Sequence, residues 1–308
     1  MSRASATRPT VGPVRSDLHT HSRASDGTQP PGDLVRAAAA AGLDVLAITD
    51  HDTADGWPEA EAAAHEVGIE LVRGMEVSTR HQGRGVHLLA YLPDPTYPPL
   101  VEQLTRVLEG RQARVPDMLE RLHALGIEIT DADVARAADG TAATGRPHVA
   151  DALVAVGAVG DRTEAFDRYL GAGRPAYVDR YAAPLAETVR LVTEAGGVTV
   201  VAHPWGRSQR EWPDEPELAE LQAAGLSGIE VEHEDHTPTS RDKLRAIARN
   251  LDLVVTGSSD HHGTGKIDHE LGCNTTDPEQ YARLVDAAAR AAEAARAQGR
   301  TPPDVVRP

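Results

Sequence analysis

The sequence predicts an α/β barrel with a helical insertion, and three observations predict it. About seven short apolar runs alternate with helix-forming runs. Nearly every histidine or carboxylate of chemical interest stands just after one of those runs, and the rhythm breaks once, between Pro93 and about Tyr181, for helical segments alone. In parallel α/β barrels the C-terminal ends of the strands form one rim where the loops converge, so residues distant in sequence meet there. The expected organisation is a tail over 1–13, a barrel from 14–95 and 185–297, a helical insertion over 96–184 and a second tail over 298–308.

Val14–Leu18 opens the series. Pro30-Pro31 and Asp33 introduce an alanine-rich helix, Leu34–Ala41, that stops at Gly42. A buried strand over Leu43–Thr49 runs into Asp50-His51-Asp52. Trp57–Val67 is helical, Ile69–Val72 is a strand leading to Gly74-Met75-Glu76, and Gly85–Leu92 is a further strand with His87 inside it. The insertion holds helices over Leu100–Leu125, Asp131–Ala138, Pro147–Val156 and Arg162–Leu170, punctuated by Gly and Pro. The helix Leu185–Ala195 resumes the barrel and the strand Val198–Ala202 ends in His203-Pro204. Leu218–Ala224 then leads to Gly228–Val231, and Arg241–Asn250 to Leu253–Thr256, which ends in Ser258-Ser259-Asp260-His261-His262-Gly263. An alanine-rich helix, Ala287–Ala297, follows.

At 308 residues and 40% hydrophobic content, the chain is long enough for one large barrel or two ordinary domains. The formal net charge of −16 argues against a general basic surface, so duplex DNA is not an expected partner, although local arginines could still hold a phosphate. Lys243 and Lys266 are the only lysines; nearly all positive charge is arginine, whose fork grips phosphate oxygens in pairs. Cys273 stands alone, which excludes an intrachain disulfide and a thiolate zinc cluster, so any metal must have nitrogen and oxygen ligands. Met1–Pro13 lacks an apolar h-region and no stretch approaches the ~20 apolar residues of a membrane span. A cytoplasmic protein with no membrane partner and frayed ends is expected.

The opening strand ends in Asp17-Leu18-His19-Thr20-His21-Ser22. In extended backbone, residues i and i+2 share a side, so His19 and His21 can reach one ion, although an isolated pair of this kind is as often two solvated histidines. The other candidates at rim positions are Asp26, His51, Glu76, His87, His148, Asp260 and His262. Manganese, iron and zinc accept such mixed imidazole and carboxylate shells, and a bridging carboxylate can hold two ions about 3.5–4 Å apart. Taken singly, His87 in an apolar strand is more often a core histidine, and Asp26 before Gly27 a turn residue. Asp50 or Asp52 suits the role of orienting His51.

Seven segments, in order along the chain, resemble the PHP (polymerase and histidinol phosphatase) family of metal-dependent phosphoesterases. They are Asp17-Leu18-His19-Thr20-His21-Ser22 with Asp26-Gly27, Ile48-Thr49-Asp50-His51-Asp52, Gly74-Met75-Glu76-Val77-Ser78, Val86-His87-Leu88-Leu89, Gly145-Arg146-Pro147-His148, Ala202-His203-Pro204 and Ser259-Asp260-His261-His262-Gly263. The resemblance implies a distorted seven-stranded (β/α)7 barrel. It implies two or three divalent ions per chain, manganese ahead of iron or zinc. His19, His21, Glu76 and Asp260 would surround the first; Glu76 would bridge to a second held by His87 and His148; Asp26, His51 and His262 would hold the third. Many relatives have Gly-Ser-Asp where this chain has Ser258-Ser259-Asp260, a change that leaves the ligand set complete.

His203, closing an apolar strand before Pro204, faces the rim as a substrate-side acid or phosphate ligand. Arg146, beside His148, offers either a phosphate contact or a surface salt bridge. His233, Glu230 and Arg207 are further candidates for the substrate side. His65, His81, His123, His236, His261 and His269 read as solvated side chains. Metal ions lower the pKa of bound water from ~15.7 toward ~7, so a hydroxide nucleophile needs no Ser or Cys. The chain's length, Thr49-Asp50-His51-Asp52-Thr53 and the insertion resemble most the stand-alone, TrpH-type branch of the family. That resemblance implies hydrolysis of small phosphorylated nucleotides, such as the 3′-phosphate of nucleoside 3′,5′-bisphosphates, and trimming of short RNA from its 5′ end. The alternatives are a histidinol-phosphate phosphatase, a non-catalytic PHP module that supports a partner, and amide hydrolysis in an amidohydrolase-like barrel.

Overall fold

The computed structural model describes residues 14–206 and 211–308; the expected tail over 1–13 and Arg207 lie outside the described residues. One sheet contains β1 (Ser16–Asp17), β2 (Val45–Ile48), β3 (Glu70–His81), β4 (Arg84–Tyr91), β5 (Ala183–Pro184), β6 (Val198–Val201), β7 (Gly228–Glu232) and β8 (Val254–Gly257). Its order is β1-β2-β3-β4-β6-β7-β8, with β5 paired to β3. Closure from β8 back to β1 is made by single bridges, Thr20 to His261 and Ser16 to Thr276. The buried Asp17 carboxylate reinforces it by accepting the backbone N–H groups of Ser259 and Gly272, at 3.0 and 2.9 Å. The result is a nearly closed, distorted seven-strand barrel with one strand reversed.

That strand is β4, antiparallel to both β3 and β6. The sequence pattern predicts separate strands at Ile69–Val72 and Gly85–Leu92, but β3 continues to His81 and turns directly into β4. Gln82 and Gly83 both have positive φ, 47° and 79°, the backbone of a tight two-residue hairpin turn. The reversal moves the N-terminal end of β4 to the rim where the other strands end.

Alternation along the strands separates two environments. Val45 and Ala47 of β2 and Leu89 and Tyr91 of β4 join Val198, Val200 and Val254 in an inner cluster. Leu46 and Ile48 face outward beneath α1 (Pro31–Ala40) and α2 (Trp57–Val67). The inner cluster lies at the end of the barrel away from the rim, and Tyr281, Leu284 and Ala288 of the last helix, Pro278–Arg296, pack against it and stop that end.

Between β4 and β5 run α3 (Pro98–Ala113), α4 (Val115–Ala124), α5 (Asp131–Ala138), α6 (Arg146–Ala155) and α7 (Arg162–Ala165), the last continuing into a π-helical turn over Phe166–Leu170. The single helix expected over Leu100–Leu125 is two, because Pro116 has no N–H to give and its ring obstructs the carbonyl four residues back. Leu100 and Leu104 of α3 pack on the barrel. From Val115 onward the helices have their own core, centred on Met118, Leu122, Val149, Leu153 and Leu170. This part is termed the cap below, since it walls one side of the rim cavity. After it come α8 (Leu185–Glu194), α9 (Glu215–Ala223), α10 (Pro238–Asn250) and α11 (Pro278–Arg296).

The frayed C-terminal tail expected over 298–308 is instead tied down. Val306 pairs with Leu71 and is buried, and Thr301 donates its N–H to the Asp94 carboxylate at 2.7 Å.

Candidate metal centre

Donor atoms of four residues meet at the mouth of the barrel. His19 Nε2 and His21 Nε2 are 3.0 Å apart, and Asp260 Oδ1 lies 3.4 Å from each. Glu76 reaches His19 with Oε1 at 3.5 Å and His21 with Oε2 at 3.3 Å. Donors with ligand bonds of about 2.1 Å in tetrahedral array stand about 3.4 Å from one another, so the spacing suits one ion. Glu76 Oε1 also lies 2.7 Å from His87 Nδ1 and 3.1 Å from His203 Nε2. On the other side, Asp26 is 3.4 Å from His262 Nε2 and 3.5 Å from His51 Nε2, while His51 Nδ1 approaches Glu76 Oε2 at 3.1 Å.

The backbone explains the convergence. Asp260 and His203 follow β8 and β6 with φ of 53° and 29°, left-handed conformations that cost about 1–2 kcal/mol each and turn both side chains inward. His87 reaches Glu76 because β4 is reversed: His87, Leu89 and Tyr91 share the inner face, and His87 is the one nearest the rim. Behind the donors lie orienting partners. Glu230 of β7 accepts from His19 Nδ1 at 3.2 Å, leaving the Nε2 lone pair pointed at the cluster. His262 Nδ1 is fixed in the same way by the Asp260 carbonyl at 2.8 Å.

Electrostatics fit a cation. Burial raises the cost of charging Glu76, Asp26 and Asp260, yet facing imidazoles, and Lys266 for Asp260, hold all three well below the usual carboxylate range. Burial opposes a charge on His19, but Asp260, Glu230 and Glu76 pull its pKa well upward, and similar contacts raise His21 to about 9. Positive charge is therefore demanded between them. His51 and His262 are pushed the other way, mainly by burial, His262 to about 4, so both present neutral rings as ligands must. His21 Nδ1 is buried without a hydrogen-bond partner and faces Asp26 at 3.6 Å. A buried ring nitrogen left without a partner among facing imidazoles and carboxylates fits an ion-binding cluster.

Several expectations need correction. The structure does not bring His148 to the cluster: its Nδ1 accepts the Gly145 N–H at 3.1 Å and its Nε2 donates to the Ser25 carbonyl at 2.9 Å. His203 stands beside Glu76 instead. Neither Asp50 nor Asp52 orients His51. Asp50 accepts from Ser22 and Ser25, and Asp52 from Ser78 and Arg111. His233 is fully buried behind Asp260, 3.4 Å from Oδ2, and so supports that carboxylate rather than meeting substrate. His236 and His269 are buried, not solvated, and bond to the carbonyls of Val231 and Ile267.

A cavity of about 360 Å³ opens onto Asp26, His51, His87 and His262. Its far wall carries Arg111, Arg114, Arg146, Arg162 and Arg180, with Lys266 at the edge. Arg111 is paired with Asp52 at 2.6 Å, but among the described residues Arg114 and Arg180 have no ion pair. Burial, with Arg146 and the neighbouring arginines, pushes the pKa of Arg114 down. A guanidinium keeps its proton in proteins, so such stress is relieved by recruiting an anion. Arg146 alone of this group lies in a recognisable motif; Arg111 and Arg162 lie on helices, Arg114 at the turn between α3 and α4 and Arg180 in the segment before β5, and the sequence pattern does not reveal how these face the barrel.

The PHP domain family model matches residues 17–138. A 5′-3′ exoribonuclease of Haemophilus influenzae is 37% identical over 246 residues, covering 80% of this chain and 89% of that protein. A 3′,5′-nucleoside bisphosphate phosphatase of Chromobacterium violaceum is 36% identical over 256 residues, covering 83% and 90%. The crystal structure of a protein from Bifidobacterium adolescentis assigned as a metal-dependent phosphoesterase superposes with a TM-score of 0.84 at 37% identity, over 90% of this chain and 98% of that one. Likeness that runs nearly end to end through such relatives, over a rim built to hold cations, means that the chain belongs to the PHP family of metal-dependent phosphoesterases.

Proposed function

We propose that this phosphoesterase hydrolyses small phosphorylated nucleotides, with the 3′-phosphate of a nucleoside 3′,5′-bisphosphate as the preferred target, and that it also trims short RNA from its 5′ end. The observation that carries the reading is the arginine wall: one cavity joins the carboxylate and imidazole cluster to Arg114, Arg146 and Arg180. A phosphate at the cluster leaves the rest of the substrate directed at those cations, and arginine forks suit a second phosphate. The names of the two relatives favour the same substrate class. Among the described residues no helix is long and apolar enough to cross a membrane, and a nucleotide substrate favours the cytoplasm as the site of action.

Three divalent ions, manganese preferred, are assigned to three residue sets. The first is His19, His21, Glu76 and Asp260; the second Glu76, His87 and His203, with His203 in the place first given to His148; the third Asp26, His51 and His262. Bound ions would acidify water and offset the charge on the phosphoryl oxygens. The chain's own contribution is orientation. Glu230 fixes His19, Asp17 fixes the turn before Asp260, and the arginine wall holds the non-reacting phosphate so that the scissile one sits at the rim.

The test follows phosphate release by manganese-loaded enzyme from a nucleoside 3′,5′-bisphosphate, the matching 3′-monophosphate and histidinol phosphate, and mononucleotide release from short 5′-phosphorylated RNA. At least about a tenfold higher kcat/KM for the bisphosphate than for the monophosphate is expected, the worth of one charge-assisted contact. Equal values, or faster turnover of histidinol phosphate, would overturn the proposal.

A further inference from the structure

Asp26 differs from the other cluster residues in how its backbone is held. The carbonyls of three consecutive residues, Ala24, Ser25 and Asp26, all accept hydrogen bonds from cap side chains: Thr141 Oγ1, His148 Nε2 at 2.9 Å and Arg162 Nη1 at 2.8 Å. His148 is set for this by the Gly145 N–H on its Nδ1, which leaves the proton on Nε2. Arg162 is set by a two-pronged pair with Asp151. The loop has no slack, since a Cβ on Gly27 would lie 2.3 Å from the His21 carbonyl oxygen. Arg162 also abuts the loop that carries His262, because a Cβ on Gly265 would lie 2.2 Å from its Nη1. Thr28 ties the two loops together by donating its N–H to the His262 carbonyl at 3.2 Å.

We infer that His148 and Arg162 are positioning residues through which the cap sets the Asp26 and His262 loops, so that occupancy of the third ion set depends on how the cap is docked. The inference rests on the reading that Asp26, His51 and His262 hold an ion. The first ion set is anchored differently: among the described residues, the side-chain hydrogen bonds and ion pairs of His19, His21 and Glu76 run to barrel groups and their loops, Glu230 among them, the β2–β3 pairing holds the Glu76 strand, and Asp17 holds the Ser259 N–H before Asp260. Cap docking should therefore act on one ion and spare the others.

Equilibrium dialysis of the full chain against Mn²⁺, with metal analysis of the retained ions, reads this directly. Arg162→Met and His148→Phe are each expected to weaken one ion by about 10–100-fold, the usual effect of losing an orienting partner, while the remaining ions bind as in the parent. His148→Gln, whose amide can still donate to the Ser25 carbonyl, should restore most of the loss. Thr141→Val is a milder third variant with the same selective direction, for use if the larger changes unfold the cap. Parent-like binding in Arg162→Met and His148→Phe, or equal weakening of every ion, would overturn the inference. Asp26→Ala separates the two layers: if it loses one ion while the cap variants lose none, the cap coupling fails alone, and if it loses none, the ligand assignment fails with it.

Discussion

Glu230 accepts the Nδ1 proton of His19 at 3.2 Å and the backbone N–H of His203 at 2.8 Å. One buried carboxylate on β7 thus sets the tautomer of a residue after β1 and the turn of a residue after β6. Burial raises its pKa, but His19, His233 and His203 outweigh this and hold it far below the usual range, so it stays ionised. Glu230→Gln keeps the shape but removes the charge that favours Nδ1–H on His19. The Mn²⁺ concentration for half-maximal phosphate release should rise about 10–100-fold. An unchanged metal dependence would show that His19 is oriented without Glu230.

Glu76 touches His19, His21, His51, His87 and His203 through two oxygens. Its removal strips both the first and second residue sets of their shared carboxylate. Glu76→Ala is expected to cut phosphate release by about 10³-fold or more, a loss on the scale of removing a main source of transition-state charge stabilisation. Chelation of the parent should lower its Tm, because ligands that bind only the folded state stabilise it, by about 2.7 kcal/mol at a concentration 100 times Kd. A chelator that leaves both activity and Tm unchanged would remove the metal reading.

What could be read from the sequence follows from the range of each interaction. His19, His21 and Asp260 are legible because each follows a strand, and strand ends converge in any α/β barrel; Glu76 is legible because it follows the apolar run Ile69–Val72, although the strand itself continues past it to His81. His87 looks like a core residue until β4 is seen to be reversed, and the only sequence signal for that is Gln82-Gly83, a short turn where a helix would otherwise be needed. Glu230 is visible as a strand-end carboxylate, but its role depends on a pairing across the barrel. His148 and the arginines of the cap are the hardest. Helical periodicity gives a buried face, yet nothing local fixes the angle at which five helices lean on the rim. His148 therefore looks like a ligand in its motif while its ring is spent on backbone groups.

Arg114 is 5% exposed, its Nε lacks a partner, and three arginines share its surroundings. A buried cation without a carboxylate destabilises the free protein and is retained for what it binds. Arg114→Met should raise the Tm by a few degrees in phosphate-free buffer while raising KM for a bisphosphate about tenfold. Thermal shift with and without inorganic phosphate, alongside the kinetics, checks both. A lower Tm with an unchanged KM would mean that Arg114 is structural.

Asp94, which is 3% exposed, fastens the C-terminal segment. Its Oδ2 accepts Thr301 N–H at 2.7 Å, its Oδ1 accepts the N–H and hydroxyl of Thr96 at 2.9 and 2.7 Å, and its own N–H bonds the Ala195 carbonyl. Burial pushes the carboxyl pKa up, but the Thr301 and Thr96 donors prevail and hold it below its ordinary value. A lowered folded-state pKa contributes stability above the unfolded-state value of about 3.9, and that share disappears as pH falls through the folded-state value. Asp94→Ala should cost about 1–3 kcal/mol at neutral pH, the penalty for leaving buried donors unpaired. Urea unfolding of the parent and Asp94→Asn at several pH values gives the sign. The gap between them should be constant from pH 7 down to about 5 and narrow below about 4, whereas a gap that widens on acidification would contradict the assigned direction.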